Sequence, residues 1–242
     1  MYLSIFTRES DFHAWSSSHV IPILAFVLIT GLICWYSRKY LNRPQQKKLL
    51  IIASFIPLLS VIQYISFRLA LGQFSIQEDL PIHLCRFVAV LGPLIYWKEK
   101  PLWTGISYFW VLAGTVNATL TPDLYNDFPH WEYLNYFSLH LGLIFLPIYY
   151  AVAMGHRVTL KDLWIAVIAG NIFVAFSLVI NKILDANYMF TIHKPEASTL
   201  LDYLGPWPWY LLSVELLGIV LFFVVYLPML VTRKREAQNN FT

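Results

Sequence analysis

The sequence predicts an all-α, polytopic membrane protein of about seven transmembrane helices, with its N-terminus outside and its C-terminus in the cytoplasm. Three observations predict it. Apolar residues gather in long blocks, near the roughly 20 residues that span a bilayer core of about 30 Å. Only 13% of the 242 residues are charged, against roughly 25% in a typical soluble domain. Lys and Arg also alternate with acidic residues from one inter-block loop to the next.

The blocks run over 20–36, 49–71, 83–97, 102–120, 131–154, 163–184 and 207–231. The third is the shortest and carries polar residues. No cleaved signal peptide is expected: the start holds Arg8, Glu9 and Asp11, without a basic n-region or a small-residue cleavage site. The first block therefore stays as a helix.

Orientation follows from the basic residues. Arg38, Lys39, Arg43, Lys47 and Lys48 follow block one, and Lys98 and Lys100 follow block three. Arg157 and Lys161 follow block five, and Arg233, Lys234 and Arg235 close the chain. Asp11, Glu78, Asp79, Asp123, Asp127, Glu132, Asp185, Glu196 and Asp202 fall on the other side with Glu9. Only an odd number of spans keeps this alternation. The net charge of +3 then reflects cytoplasmic anchoring near anionic headgroups and not nucleic-acid binding. The plasma membrane is the expected location, with membrane lipids as partners, and no protein partner can be named.

The chain reads as a single domain over 1–242. Its cytoplasmic connections are short, whereas the outer loops 72–81, 121–130 and 185–206 are longer and rich in acids, Pro and aromatics. Trp15, Trp35, Trp97, Trp103, Trp131, Trp207 and Trp209 sit near block ends, where interfacial aromatic belts form. Cys34 and Cys85 fall at opposite ends of their helices, too far apart for a disulfide, so Cys85 is expected to be a free thiol.

Ionisable groups inside spans are costly and mark functional sites by default. Here they are Arg68, His83, Arg86, His140 and Glu215, with neutral Gln63, Asn117, Asn135 and Asn171. At a 1.5 Å rise per residue, His140 lies about 13 Å and Glu215 about 12 Å below the outer surface. Almost all the others fall in the same outer half. A thiol in the first turn of a helix, as Cys85 would be, feels the positive end of the helix dipole. His83 lies two residues away and so points about 200° from it, which makes His140 the better base for Cys85. A thiol beside a histidine base is suited to covalent acyl transfer. Arg86 or Arg68 is the expected counter-charge for Glu215.

Other chemistries fit less well. No tight His or Cys spacing suggests a metal, and no metal or other cofactor is expected. No Lys lies in mid-span for a retinal Schiff base, and no phosphate loop is present.

The motifs LPIHLC at 80–85, FPHW at 128–131, FSLH at 137–140, NYM at 187–189, KP at 194–195 and LLDYLGPWPWY at 200–210 carry a resemblance over nearly the whole chain. They resemble the YwaF-type family of bacterial integral membrane proteins. That family is distantly similar to an animal multi-span acyltransferase family that remodels ether phospholipids through a cysteine–histidine pair. The resemblance implies Cys85 as the acyl-accepting nucleophile and His140 as its base. The leading expectation is a phospholipid acyltransferase working in the outer half of the bilayer, with His83, Arg86, Asn117 and Glu215 binding substrate or oxyanion. The alternative is a non-enzymatic small-molecule or lipid-binding transporter or receptor with an outward-facing pocket.

Overall fold

Among the described residues eight α-helices carry the chain back and forth between two ends. The computed structural model describes residues 11–194 and 200–239, without the side chains of 195–200 and 232–239. Arg8, Glu9, Pro195 and Glu196 fall outside the described residues, as do the side chains of Arg233, Lys234 and Arg235. The helices are α1 (Ser17–Tyr40), α2 (Arg43–Ala70), α3 (Leu84–Lys98), α4 (Pro101–Phe109), α5 (Val116–Leu120), α6 (Trp131–Val152), α7 (Leu160–Leu184) and α8 (Trp209–Asn239). A π-helical turn, Trp110–Thr115, joins α4 to α5 without a break, making one rod. Among the described residues no strand forms, only a single bridge between Asp11 and Asn126.

Local sequence sets the helix ends. Asn42 accepts from Gln45 N–H while the Gln45 side chain returns to Asn42, and Thr159 and Asp162 repeat the arrangement at α7. Each box satisfies two of the helix's otherwise orphaned N–H groups. Glu99 and Asp185 end α3 and α7 in the left-handed conformation.

Among the described residues five helices are long and apolar enough to cross a membrane by themselves: α1, α2, α6, α7 and α8. With 15 residues, α3 reaches only about 22 Å. The α6 helix is the axis of the bundle, with 61% of its apolar window buried against 17–33% in the other four. It packs against α1, α2, α3 and the π turn. Backbones come close at Gly142, where a Cβ would stand 3.3 Å from Ile56 and Pro57 of α2.

The two ends differ in chemistry. At one, Arg43 and Lys47 bind Glu99 at 3.2 and 2.7 Å, and Arg43 donates to the Met154 carbonyl. At the other, Arg68 pairs with buried Asp79 at 3.0 Å and with Glu78 at 3.1 Å. That end also holds the longer loops. Six of the seven belt tryptophans are 49–65% exposed, but Trp131 is buried against Tyr64 and Phe67. It belongs to the α2–α6 core and not to a belt, because α2 covers the face of α6 on which it lies.

Candidate functional site

Cys85 is the second residue of α3, and its placement depends on the π turn. Six residues in that turn shift the phase of the α4–α5 rod relative to a regular helix, and such turns recur at functional sites. The shift brings the Thr115 hydroxyl within 3.4 Å of Cys85 Sγ. Gly114, beside it, lets α3 approach: a Cβ there would meet Leu84 at 3.4 Å.

The other wall comes from α6. His140 Nδ1 lies 2.8 Å from the Tyr136 carbonyl, and its ring stacks on the Tyr136 ring with centroids 4.0 Å apart. A carbonyl only accepts, so Nδ1 carries the hydrogen of the neutral ring. Nε2 keeps the lone pair, the arrangement a histidine base requires. Among the described residues none bonds to that Nε2. The Tyr136 hydroxyl donates to the Ala118 carbonyl at 2.7 Å, tying α6 to α5, and the phenol is within electrostatic reach of Cys85.

Arg86 stands on the α2 side, its guanidinium 4.0 Å above the Tyr64 ring and one N–H on the Glu78 carbonyl at 3.3 Å. It is within electrostatic reach of both Cys85 and His140. His83 is occupied differently. Its Nδ1 accepts from Met189 N–H at 3.4 Å, and its ring lies against Tyr188 and Phe190. Met189 and Phe190 have φ of 59° and 52°, a conformation non-glycine residues hold only when their surroundings impose it. Tyr188 OH reaches the Ile76 carbonyl, Asn181 and Ser177 hold the Tyr188 carbonyl, and Tyr210 OH binds the Phe190 carbonyl. The 188–190 turn is thus strapped over the start of α3.

Beside Tyr136 opens a cleft of about 380 Å³ between the π turn, α5 and α8. Asn117, Thr121 and Asp123 line it along with Tyr136, and Trp110, Leu217, Leu221 and Phe222 supply its apolar wall. A larger groove of about 780 Å³ lies between α1, α2 and α6. It is lined almost wholly by apolar residues and holds none of the candidate residues.

A family model described as the TMEM164 family matches residues 14–226. The chain belongs to the TMEM164 family. An uncharacterized protein of Treponema pallidum (strain Nichols) is 27% identical over 154 residues, which is 64% of this chain and 63% of that protein. No solved structure matches. The matched stretch of this TMEM164-family membrane protein contains every candidate residue named from the sequence.

The structure gathers Cys85, His140 and Arg86 around the start of α3 and puts Asn117 in the adjoining cleft. At two points the hydrogen bonds run to other partners than those named from the sequence. The partner of Cys85 is Thr115, and no described hydrogen bond joins it to His140. Glu215 accepts from Asn171 of α7 at 2.7 Å, while Arg68 belongs to Asp79 and Glu78. The rotation of α8 turns Val214, Leu217 and Gly218 into the cleft and leaves Glu215 outside its lining. Thr115 and Tyr136 are the residues sequence reasoning missed. Tyr136 had a signal, its place four residues before His140 on one helix face. Thr115 had none, because a π turn breaks the period by which its direction would be read.

Proposed function

We propose that the chain crosses the plasma membrane seven times, N-terminus outside, and moves acyl chains between phospholipids and lysolipids through Cys85. The observation that carries this reading is the convergence of Cys85, Thr115, Tyr136 and His140 from α3, the π turn and α6, beside a cleft with polar and apolar walls. A cleft of that make-up suits a lipid, its ester near the polar residues and its chain along Trp110 and Leu217.

In the first half-reaction His140 Nε2 takes the Cys85 proton, and the thiolate attacks the ester carbonyl carbon. The ester C–O bond then breaks, the departing alkoxide recovers the proton from His140, and a lysolipid leaves behind a Cys85 thioester. An acceptor hydroxyl reverses these steps: it gives its proton to His140, attacks the thioester, and the C–S bond breaks. The Thr115 hydroxyl donates to the thiolate, a charge-assisted bond stronger than a neutral one. Asn117 and Arg86 supply N–H donors toward the oxyanion or headgroup. The scheme balances with no metal or redox partner.

One observation favours a second reading, a lipid-binding protein without catalysis. Cys85 is hydrogen-bonded to Thr115 and not to His140, so the thiol must turn before proton transfer. Catalytic hydrogen bonds do tighten on substrate binding, and experiment separates the two readings. Purified protein is incubated with phospholipid and its intact mass measured, for wild type and for Cys85→Ser and His140→Ala. An acyl-sized mass gain that hydroxylamine removes, absent in Cys85→Ser, supports transfer. Equal acyl exchange by all three proteins sinks it, and saturable lipid binding without any adduct establishes the second reading.

A further inference from the structure

The α1 helix is tied to the bundle by hydrogen bonds at its two ends. Near its start Tyr133 OH donates to the Ser18 carbonyl, and His19 bonds the Thr119 carbonyl. Near its end the Ser37 and Tyr149 hydroxyls meet at 2.9 Å. Alongside runs a slot of about 710 Å³ between α1 and α6, with Ile148 and Val152 as its α6 wall. Gly31 belongs to the α1 wall, and a Cβ there would meet nothing within 4 Å. At Gly105 and Gly142 a Cβ would instead stand 3.1 and 3.3 Å from a neighbouring helix. Gly31 therefore serves no helix contact and leaves the slot open.

Two cations stand at the basic end of this slot. Arg38 and Lys39 both line it, and both are exposed. Among the described residues no carboxylate and no hydrogen bond engages either side chain, whereas Arg43 and Lys47 at the same end are matched by Glu99. The Lys39 ammonium is held 5.2 Å over the Trp35 ring and 5.1 Å over the Tyr40 ring. From Phe26 to Lys39 the slot follows α1 for about 20 Å at 1.5 Å per residue. One leaflet's share of a bilayer core is about 15 Å, so an acyl chain in the slot brings its headgroup to the cations. The larger groove on the α2 side of α1 has no cation in its walls.

We infer that the α1–α6 slot binds one anionic phospholipid, a chain along Phe26, Gly31 and Ile148 and its phosphate on Arg38 and Lys39. The arginine offers a planar fork of donors to phosphate oxygens, and the lysine a point charge. The C-terminal end of α1 carries about half a negative charge, which two full positive charges outweigh. A neutral lipid would leave both cations unmatched, and a free phosphate would leave the apolar walls uncovered. Basic pockets between membrane helices hold anionic headgroups in this way. Anchoring at large draws on every exposed Lys and Arg of the basic end, whereas this site needs the two that border the slot. It stands apart from the cleft beside Cys85 and does not depend on acyl transfer.

The test uses the full chain, delipidated in detergent and given equimolar phosphatidylglycerol and phosphatidylcholine. Native mass spectrometry counts the lipid each protein keeps. Wild type keeps phosphatidylglycerol in preference to phosphatidylcholine. Arg38→Gln combined with Lys39→Gln lowers phosphatidylglycerol retention about thirtyfold, roughly fivefold per cation, and leaves phosphatidylcholine unchanged. Gly31→Phe fills the slot and lowers phosphatidylglycerol retention as well, with the unfolding midpoint of the protein unmoved. Lys98→Gln combined with Lys100→Gln removes the same charge from the same end, outside the slot, and retention stays at the wild-type level. Equal retention of the two lipids by wild type, or an equal loss from the Lys98 and Lys100 pair, overturns the inference. So does unaltered retention by Gly31→Phe, or displacement of the lipid by an equal concentration of inorganic phosphate.

Discussion

Two buried histidines show how the α1–α5 contact differs from the α3–α6 centre. His19, at the start of α1, is fully buried, and both ring nitrogens are engaged: Nδ1 accepts from Trp15 N–H at 2.9 Å and Nε2 donates to the Thr119 carbonyl at 2.8 Å. His140 is nearly as buried, but only Nδ1 has a partner among the described residues. The arginines divide in the same way. Arg68 is held by two carboxylates, whereas Arg86 leans on an aromatic ring and one carbonyl. Burial and residue type are shared within each pair. Unused hydrogen-bonding capacity separates the member that can act on a ligand from the member that clamps the fold.

The largest expected effect breaks the comparison at the histidines. His140→Ala lowers acyl transfer by about 10²–10⁴-fold, the range for removing a general base, with thermal stability little changed. His19→Ala does the reverse. It strands the Trp15 N–H and the Thr119 carbonyl, at a cost of about 1–3 kcal/mol in stability, while the protein that remains folded transfers normally. Melting curves and transfer assays on both variants decide it. If His19→Ala abolishes transfer in well-folded protein, the division fails.

The arginines come next. Removing one member of a buried ion pair leaves an uncompensated charge and costs about 3–5 kcal/mol. With Asp79 fully buried beside it, Arg68→Gln should fall near the lower end, about 3 kcal/mol. Arg86→Gln should hold stability to within about 1 kcal/mol, because one carbonyl bond and a ring contact are lost. It should instead raise the KM for anionic lipid more than for neutral lipid. Equal destabilisation by the two substitutions would show Arg86 to be another clamp.

Much of the helical layout could be read from the sequence, because a bilayer demands long apolar stretches and these are visible without tertiary information. Each apolar block holds a helix, although among the described residues only five helices reach spanning length unaided. The direction in which a side chain points was less legible. Composition does not fix helix rotation, so Glu215 was matched to an arginine and the structure gives it Asn171. Trp131 looked interfacial because the turn before it, not the packing of α2 over it, is what the sequence displays. Thr115 was hidden by a π turn. His19 was hidden because its partner is a main-chain carbonyl a hundred residues away.

A smaller effect sharpens the site itself. Thr115→Val keeps the shape of the side chain and removes the hydroxyl that meets Cys85. It should slow Cys85 acylation about tenfold, the worth of one bond to a charged group, and leave lipid binding intact. Cys34→Ser changes neither, since Cys34 is buried against α6 at the basic end. Single-turnover acylation followed by mass spectrometry reads both.

The smallest effect comes from a third histidine, at the basic end. His156 stacks on Tyr150 with centroids 4.3 Å apart, and its Nε2 is buried without a hydrogen-bond partner. Burial is the main cause that holds its pKa below the ordinary 6.5; Asp162 and Glu99 pull it upward, Arg43 and Arg157 push it down. The folded state therefore prefers the neutral ring. Above the unfolded pKa both states are neutral and the full stability is present. As pH falls through about 6.5 the unfolded chain takes up the proton first, and stability declines toward the lower folded pKa. Between pH of about 7.5 and 5.5 the midpoint of thermal unfolding should fall about 2 °C further in wild type than in His156→Phe, which keeps the stack and removes the titration. Parallel curves would mean that the folded ring takes up its proton as readily as the unfolded one. Histidines would then grade by function in two classes, saturated and free, with no third class whose unmet nitrogen costs stability alone.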